Sequence, residues 1–326
     1  MSLLTLAIAC GQAHDVPADQ APAPQTHQTE ETAEVGPPGP RTGFLVTVMG
    51  EVSPYALTTV FVMPGESIPV ALDGPPEGAT LTASTGTTVQ VGPSAWSWTA
   101  PQEPHTVARL LLAAPGAPHT ATVQAVVLEP YTGEATFHGY RIGTYQRTRF
   151  RDNPRYAMPR GLVRLTPELE ALPISPSFTL GQFKCKQAST ADAWLIVQPR
   201  LVLKLERLVE RWREAGIDVQ HLHVMSAYRT PHYNRAIGNR TTYSQHLYGG
   251  AADVFVDNDR DGWMDDVDGD GMVTRSDAVL LASIVEDSLA TPWYQPFIGG
   301  LGIYSPKPPH RGPFVHVDVR GTKARW

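Results

Sequence analysis

The chain has 326 residues, 42% hydrophobic and 18% charged, with a formal net charge of −6. That length gives room for two domains with cores of their own, and the negative balance leaves no basic footprint for nucleic acid. Thirty prolines and 28 glycines point to many turns, hence to strands rather than long helices. The two cysteines, Cys10 and Cys185, imply no disulfide framework.

Residues 1–10, MSLLTLAIAC, form a short apolar run ending in Cys10. The run is similar to the end of a bacterial lipoprotein signal, in which the cysteine becomes an acylated N-terminus, but no Lys or Arg precedes it and Ala7 stands where such signals prefer Leu. Residues 11–43 hold almost nothing to bury and are expected to form a disordered tether. Anchor and tether together predict a secreted lipoprotein of the cell envelope, periplasmic or at the cell surface, touching the membrane through Cys10. No other stretch is long and apolar enough to span a bilayer.

Over residues 44–146 the pattern has period two. TTVFVM, ATLTAST, TTVQVG, WSWTA and TATVQAVVLEP are short β-branched runs separated by Pro, Gly, Asp and Ser. Strand and turn recurring at this interval predict an all-β Ig-like sandwich, with Trp96 and Trp98 alternating onto one packed face. Residues 147–174 read as a linker. Next, PRLVLKLERLVERWREAGID places Leu201, Leu205, Leu208, Val209, Trp212 and Ala215 at helical spacing, and Gly216 supplies a stop. VQHLHVMSAYRTPHYN predicts a strand entering an Arg-Thr-Pro turn, and SDAVLLASIVEDSL a further helix. Strands and helices of unlike length in this order predict an α+β domain over residues 175–326. Cys185, in LGQFKCKQ, has no histidine near it in sequence and reads as a small buried hydrophobe.

SQHLYGGAADVFV carries the chemistry. Residues 251–256 alternate as a strand, so Asp253 shares a face with Ala251 and Phe255. A lone carboxylate in such a strand costs several kcal/mol unless it is paired or bound to a cation. Gly249 and Gly250 let the backbone fold His246 back toward Asp253. Imidazole and carboxylate make two ligands, and a catalytic zinc needs a third. In GPFVHVDVRG, Val315, Val317 and Val319 take one face of a strand, and Phe314, His316, Asp318 and Arg320 the other. Three polar residues on one face of a valine strand line a site or a wet surface, which makes His316 the candidate third ligand. His221 and His223 are weaker candidates.

Ser244, His246, Gly249, Ala251 and Asp253 fit the signature Ser-x-His-x-x-Gly-x-Ala-x-Asp. With SAYRTPHYNRAIGN before it and GGLGIYSP…GPFVHVDVRGTKARW after it, the C-terminal half resembles the zinc D-alanyl-D-alanine carboxypeptidases and their relatives: peptidoglycan endopeptidases, phage endolysins and the hedgehog domain. The resemblance implies the small α+β fold of that family, zinc on His246, Asp253 and His316, and Arg229 as a clamp for a substrate carboxylate. Carboxypeptidase members carry a glutamate three residues before the last histidine ligand. Pro313 stands there instead, which favours the endopeptidase branch and leaves Asp318 as the candidate general base. The alternative for Asp318 is a structural partner of Arg320. His310 is a weaker candidate for an acid or oxyanion role. The implied activity is hydrolysis of D-amino-acid-containing peptide bonds of peptidoglycan by zinc-activated water. Two rival functions are a cell-wall binding protein that keeps the zinc cleft without turnover, and a calcium-dependent adhesion or scaffold protein.

DNDRDGWMDDVDGDGMVTRSD follows directly, so residues 257–277 read as an inserted acidic segment. Asp266, Asp268, Asp270, the backbone carbonyl of Met272, Thr274 and Asp277 are spaced as a twelve-residue calcium loop, with Gly271 at its sixth position. A second match, Asp257, Asp259, Asp261, Gly262, Asp265 and Asp268, overlaps the first. Each ends in Asp rather than Glu, which predicts weaker binding. The arrangement resembles half of a dockerin module, and structural calcium is expected beside the zinc.

Overall fold

The computed structural model describes residues 41–74 and 77–326. The expected lipoprotein signal with Cys10, and the tether as far as residue 40, lie outside them. The tether ends earlier than its composition suggests. Strand β1 (Arg41–Val48) already includes residues 41–43. Arg41 pairs with Glu210 at 2.7 Å on the surface, and the Thr42 hydroxyl is buried against the Phe44 carbonyl at 2.6 Å, so both polar side chains have partners in the fold.

The N-terminal half continues with β2 (Glu51–Tyr55), β3 (Leu57–Val62), β4 (Ser67–Asp73), β5 (Thr80–Ala83), β6 (Thr87–Gly92), β7 (Ala95–Thr99), β8 (Val107–Ala113) and β9 (Ala121–Val127). These form two sheets, in the orders β2-β1-β4-β7-β6 and β3-β9-β8-β5. Alternation puts one face of each sheet into a shared core, in which Val46, Val70, Trp96 and Trp98 of the first sheet meet Val60, Leu110 and Val123 of the second. Trp96 and Trp98 do point the same way, and the Trp98 indole donates to the Thr85 carbonyl at 2.9 Å.

The stretch read as a linker is structured. Strand β10 (Glu129–Pro130) precedes the hairpin of β11 (Thr136–Phe137) and β12 (Tyr140–Arg141), and β10 pairs with β13 (Gly161–Arg164). A short helix, α1 (Pro167–Glu170), and strand β14 (Trp194–Leu195), the partner of β13, follow. Aromatic packing explains the departure: Tyr131, Tyr145, Tyr156, Trp194 and Tyr248 share one buried cluster, whose members are scattered too widely in sequence to show a period.

The C-terminal half comprises α2 (Pro199–Glu214), β15 (Leu222–Ser226), α3 (Pro231–Ala236), β16 (Ala251–Val256), α4 (Arg275–Asp287), β17 (Gly300–Tyr304), β18 (Phe314–Asp318) and β19 (Ala324–Arg325). Its sheet runs β15-β16-β18-β17-β19, antiparallel except where β19 joins β17 in parallel. Helix α2 buries Leu201, Leu205, Leu208, Val209 and Trp212, and the Trp212 indole donates to Leu281 of α4. Ala215 is the exposed C-cap rather than a member of that face, and Gly216, with φ +89, ends the helix as its position requires. Mixed α/β structure of this kind agrees with the expected α+β class. No helix among the described residues is long and apolar enough to cross a membrane.

The two halves meet on α2. Tyr55 of β2 packs on Leu203 and Phe297, and Glu51 pairs with Arg200 at 2.8 Å. Lys204, on the same helix, has no exposed surface. Its ammonium donates to the carbonyls of Phe297 at 3.0 Å and Asp318 at 2.8 Å, and burial pushes its pKa down to about 7. An unfolded chain keeps that proton to about pH 10.4. Between about pH 7 and 10 the unfolded state therefore binds more protons, and Lys204 makes stability rise with pH. Unfolding free energies of the wild type and Lys204→Met, measured by urea titration from pH 7 to 10, should diverge in favour of the wild type by a few kcal/mol, at most about 4. Parallel curves would show that Lys204 stays charged in the fold.

Candidate metal centre and cleft

The pairing of β16 with β18 places Asp253 directly opposite His316, so the two side chains share one face of the sheet. His246 arrives from a single 3-10 turn, Gln245–Tyr248, which Gly249 closes with φ +66. A Cβ on Gly249 would lie 2.3 Å from the Ile196 carbonyl oxygen, so this position needs glycine both for its backbone angle and for space. All three side chains are buried, and their candidate ligand atoms lie within 4.8 Å of one another. His246 Nε2 is 3.2 Å from His316 Nδ1 and 3.3 Å from Asp253 Oδ1, and His316 Nδ1 is 2.8 Å from the same oxygen. Ligands of a tetrahedral zinc at about 2.0–2.1 Å stand about 3.3 Å apart. The donor set fits one such ion.

Each ligand is also held from behind. His246 Nδ1 donates to the Ala227 carbonyl at 2.6 Å, which leaves the Nε2 lone pair turned to its partners. Arg229 donates to Asp253 Oδ2 and, through Nε, to the Ser226 hydroxyl at 2.8 Å. His316 Nε2 lies 3.3 Å from Asp318 Oδ2. The electrostatics follow from these contacts. Burial lowers the pKa of His246, with Asp253 opposing. Burial also works against charge on His316, but its hydrogen bonds to Asp253 and Asp318 outweigh that and move it upward. Burial disfavours charge on Asp253, yet His246 and His316 hold it well below the usual carboxylate range.

Asp318 differs from the candidate base described above. It has no exposed surface and does not line the cleft. Its Oδ1 accepts from the Gly300 amide at 2.7 Å and from Arg320 Nε at 3.0 Å, and its Oδ2 from Arg320 Nε at 2.8 Å. Strand alternation puts residues 316 and 318 on one face, but at residue 318 the neighbouring strand offers glycines. A Cβ on Gly300 would sit 2.3 Å from Asp318 Oδ2, so the carboxylate fills the space over Gly299–Gly300 behind His316 instead of reaching a substrate. The structural alternative, partner of Arg320, is the one adopted. His310 is exposed on the turn before Arg311 and does not line the cleft. His221, just before β15, and His223, on it, sit against Asp257, with His221 Nδ1 2.9 Å from its carbonyl and His223 Nδ1 3.2 Å from its carboxylate. Neither joins the trio. Cys185 is buried, and burial raises its thiol pKa.

The trio opens into a cleft of about 590 Å³ lined by Arg229, Arg311, Arg320, Tyr243, Tyr304 and Trp326, among others. Among the described residues that line it, Asp253 is the one carboxylate. Arg311 stacks over Phe314 at 4.8 Å. Trp326, absent from the sequence-based candidates, lies against the His316 ring at 5.0 Å and donates to the Tyr304 hydroxyl at 2.7 Å. The signal for it was Gly302, where a Cβ would meet the Trp326 indole nitrogen at 2.5 Å.

The acidic segment forms two loops below β16. Asp257, Asp259 and Asp265 bring carboxylate oxygens within 4.8 Å of one another, as do Asp266, Asp268 and Asp277. In the second loop Asp266 accepts from the amides of Gly269 and Gly271, and Asp277 from those of Val267, Asp268 and Thr274. Asp261 and Asp270 accept the amides of Trp263 and Met272. Thr274 caps α4, with Asp277 completing a capping box. Burial pushes Asp257 up to about 6.

Residues 176–265 match the family model described as Peptidase M15. The match supports a zinc D-Ala-D-Ala carboxypeptidase-like domain of the M15 family in the C-terminal part of the chain. The matched segment includes His246 and Asp253, and the strand pairing brings His316 to them from outside it. No match to a curated protein is found.

If Asp318 orients His316, Asp318→Asn should weaken zinc binding by about 10–100-fold, the usual effect of losing such support. Competition against a chromophoric chelator measures it. Unchanged zinc affinity together with lost turnover would return Asp318 to the role of base.

Proposed function

We propose that the protein is a zinc metallopeptidase that hydrolyses D-amino-acid-containing peptide bonds of bacterial peptidoglycan. The convergence of His246, Asp253 and His316 at the base of an arginine-rich cleft carries this reading. A zinc ion held there would act as a Lewis acid and lower the pKa of its bound water to about 7. The chain's own residues do the remaining work. Ala227, Arg229 and Asp318 fix the three ligands in place before substrate arrives. Arg311, together with any donor Arg229 has to spare, suits the carboxylates of a cell-wall peptide. Tyr304 and Trp326 wall the cleft with apolar faces. In the same reading Cys10 bears a lipid anchor, the enzyme works in the cell envelope, and the β-sandwich is Ig-like and acts as a spacer or wall-docking module. Calcium belongs to the loop Asp266–Asp277 as a structural ion on Asp266, Asp268, Asp270, Thr274, Asp277 and the Met272 carbonyl.

One observation favours a second reading. Among the described residues that line the cleft there is no second carboxylate to stand in for the glutamate that Pro313 displaces, and a wall-binding protein without turnover fits that arrangement. Purified peptidoglycan incubated with the zinc-loaded full chain distinguishes the two. Mass spectrometry of the muropeptides should show new amino termini, abolished by His246→Ala and by chelation, and restored by zinc in the wild type. Tight wall binding with no new termini would establish the second reading, and release that survives His246→Ala would remove zinc catalysis from this site.

A further inference from the structure

We propose that the loop Asp257–Asp265 is a binding site for a hard divalent cation, calcium by its ligand chemistry, and that this ion steadies the turn carrying Arg311 into the cleft. Asp257 follows β16 directly and its side chain is 1% exposed. Its Oδ2 accepts from the Gly262 amide at 3.2 Å, whereas its Oδ1 is buried without a hydrogen-bond partner. An unsatisfied buried carboxylate oxygen is costly. A carboxylate oxygen of Asp257 lies within 4.8 Å of oxygens of Asp259 and Asp265, which are acceptors as well. Carboxylate oxygens held this close repel one another, a cation between them relieves that repulsion, and an all-oxygen donor set selects calcium or magnesium over zinc. The backbone agrees. Gly262, with φ +84, makes the turn at the sixth position, and the Asp265 amide returns to the Val256 carbonyl at 2.9 Å. The neighbouring loop has no equivalent orphan, because both oxygens of its buried Asp277 accept amides.

A mechanical route connects this loop to the cleft. Met264 is buried in the main core, and beside it Trp263 lies against Gly312, where a Cβ would stand 3.4 Å from the Trp263 ring and 3.6 Å from the Met264 amide nitrogen. Gly312 adjoins Arg311, whose Nη1 donates to the Ser305 carbonyl at 2.6 Å. An ion that closes the loop therefore fixes the surface on which the Arg311 turn rests. Any bearing on substrate rests on the peptidase reading, but the ion site does not.

Trp263 occupies the seventh position, where a calcium loop presents its backbone carbonyl, so it can sensitise terbium bound in this loop and reports on the site directly. The full chain titrated with terbium, excited through tryptophan, should emit with calcium as competitor. Trp263→Phe should abolish the emission while calcium binding persists, and the exposed Asp259→Asn should weaken the affinity by about tenfold or more, as loss of a charged ligand does. Asp270→Asn, in the neighbouring loop, should leave the emission intact. Calcium should also slow amide hydrogen exchange across residues 307–312 in the wild type and not in Asp259→Asn. Emission that survives Trp263→Phe, or that disappears with Asp270→Asn rather than Asp259→Asn, overturns the site. Unchanged exchange at residues 307–312 overturns the connection to Arg311. Neither readout involves peptide hydrolysis, so failure of the peptidase reading would appear separately.

Discussion

The antiparallel register of β16 and β18 sets Asp253 opposite His316, and the candidate metal centre depends on that pairing. A slip of one residue would pair Asp253 with a valine and put the two side chains on opposite faces of the sheet. Valines on the opposite face guard against it. Val254, Val315 and Val317 are fully buried in the main core, so a slip would also expose apolar surface and bury charge. The hydrophobic packing that folds the domain thus holds two ligands in register, and Gly249 supplies the third by letting His246 turn back over the strand.

Behind the trio the supports continue inward. Asp318 bears on His316, Arg320 and the Gly300 amide bear on Asp318, and Lys204 of α2 holds the Asp318 carbonyl. The β-sandwich rests on that same helix through Tyr55 and Glu51. The half that carries the trio and the sandwich are therefore joined at the element that backs the site. At its far end β16 runs into Asp257 and the acidic loops, so the strand carrying Asp253 is bounded by a glycine turn at one end and a cluster of carboxylates at the other.

Much of this was legible in the sequence because it rests on local periodicity. The alternation in WSWTA foretold the common buried face of Trp96 and Trp98, and the helical spacing in PRLVLKLERLVERWREAG foretold the buried stripe of α2 and its end at Gly216. Asp253 and His316 were legible as polar residues set in apolar strands, a pattern that holds whatever the fold around it, and His246 through the glycines that follow it. What was not legible depends on depth and on long-range pairing. Asp318 lies on the face of His316, but alternation gives a side and not a distance from solvent. Its burial depends on Gly299 and Gly300 at the start of another strand. Trp326 reaches His316 only because β19 joins β17 in parallel near the chain end, a contact with no sequence period. Residues 147–174 look like a linker because their aromatic partners are dispersed from Tyr131 to Tyr248.

X-ray absorption at the zinc edge of the full chain, loaded with one equivalent of zinc, addresses the metal centre itself. The expected first shell is two imidazole nitrogens with oxygen at about 2.0–2.2 Å and no sulfur, and one imidazole should be lost in His316→Ala. A sulfur shell from Cys185, or a spectrum unchanged by His316→Ala, would contradict the assignment of zinc to His246, Asp253 and His316.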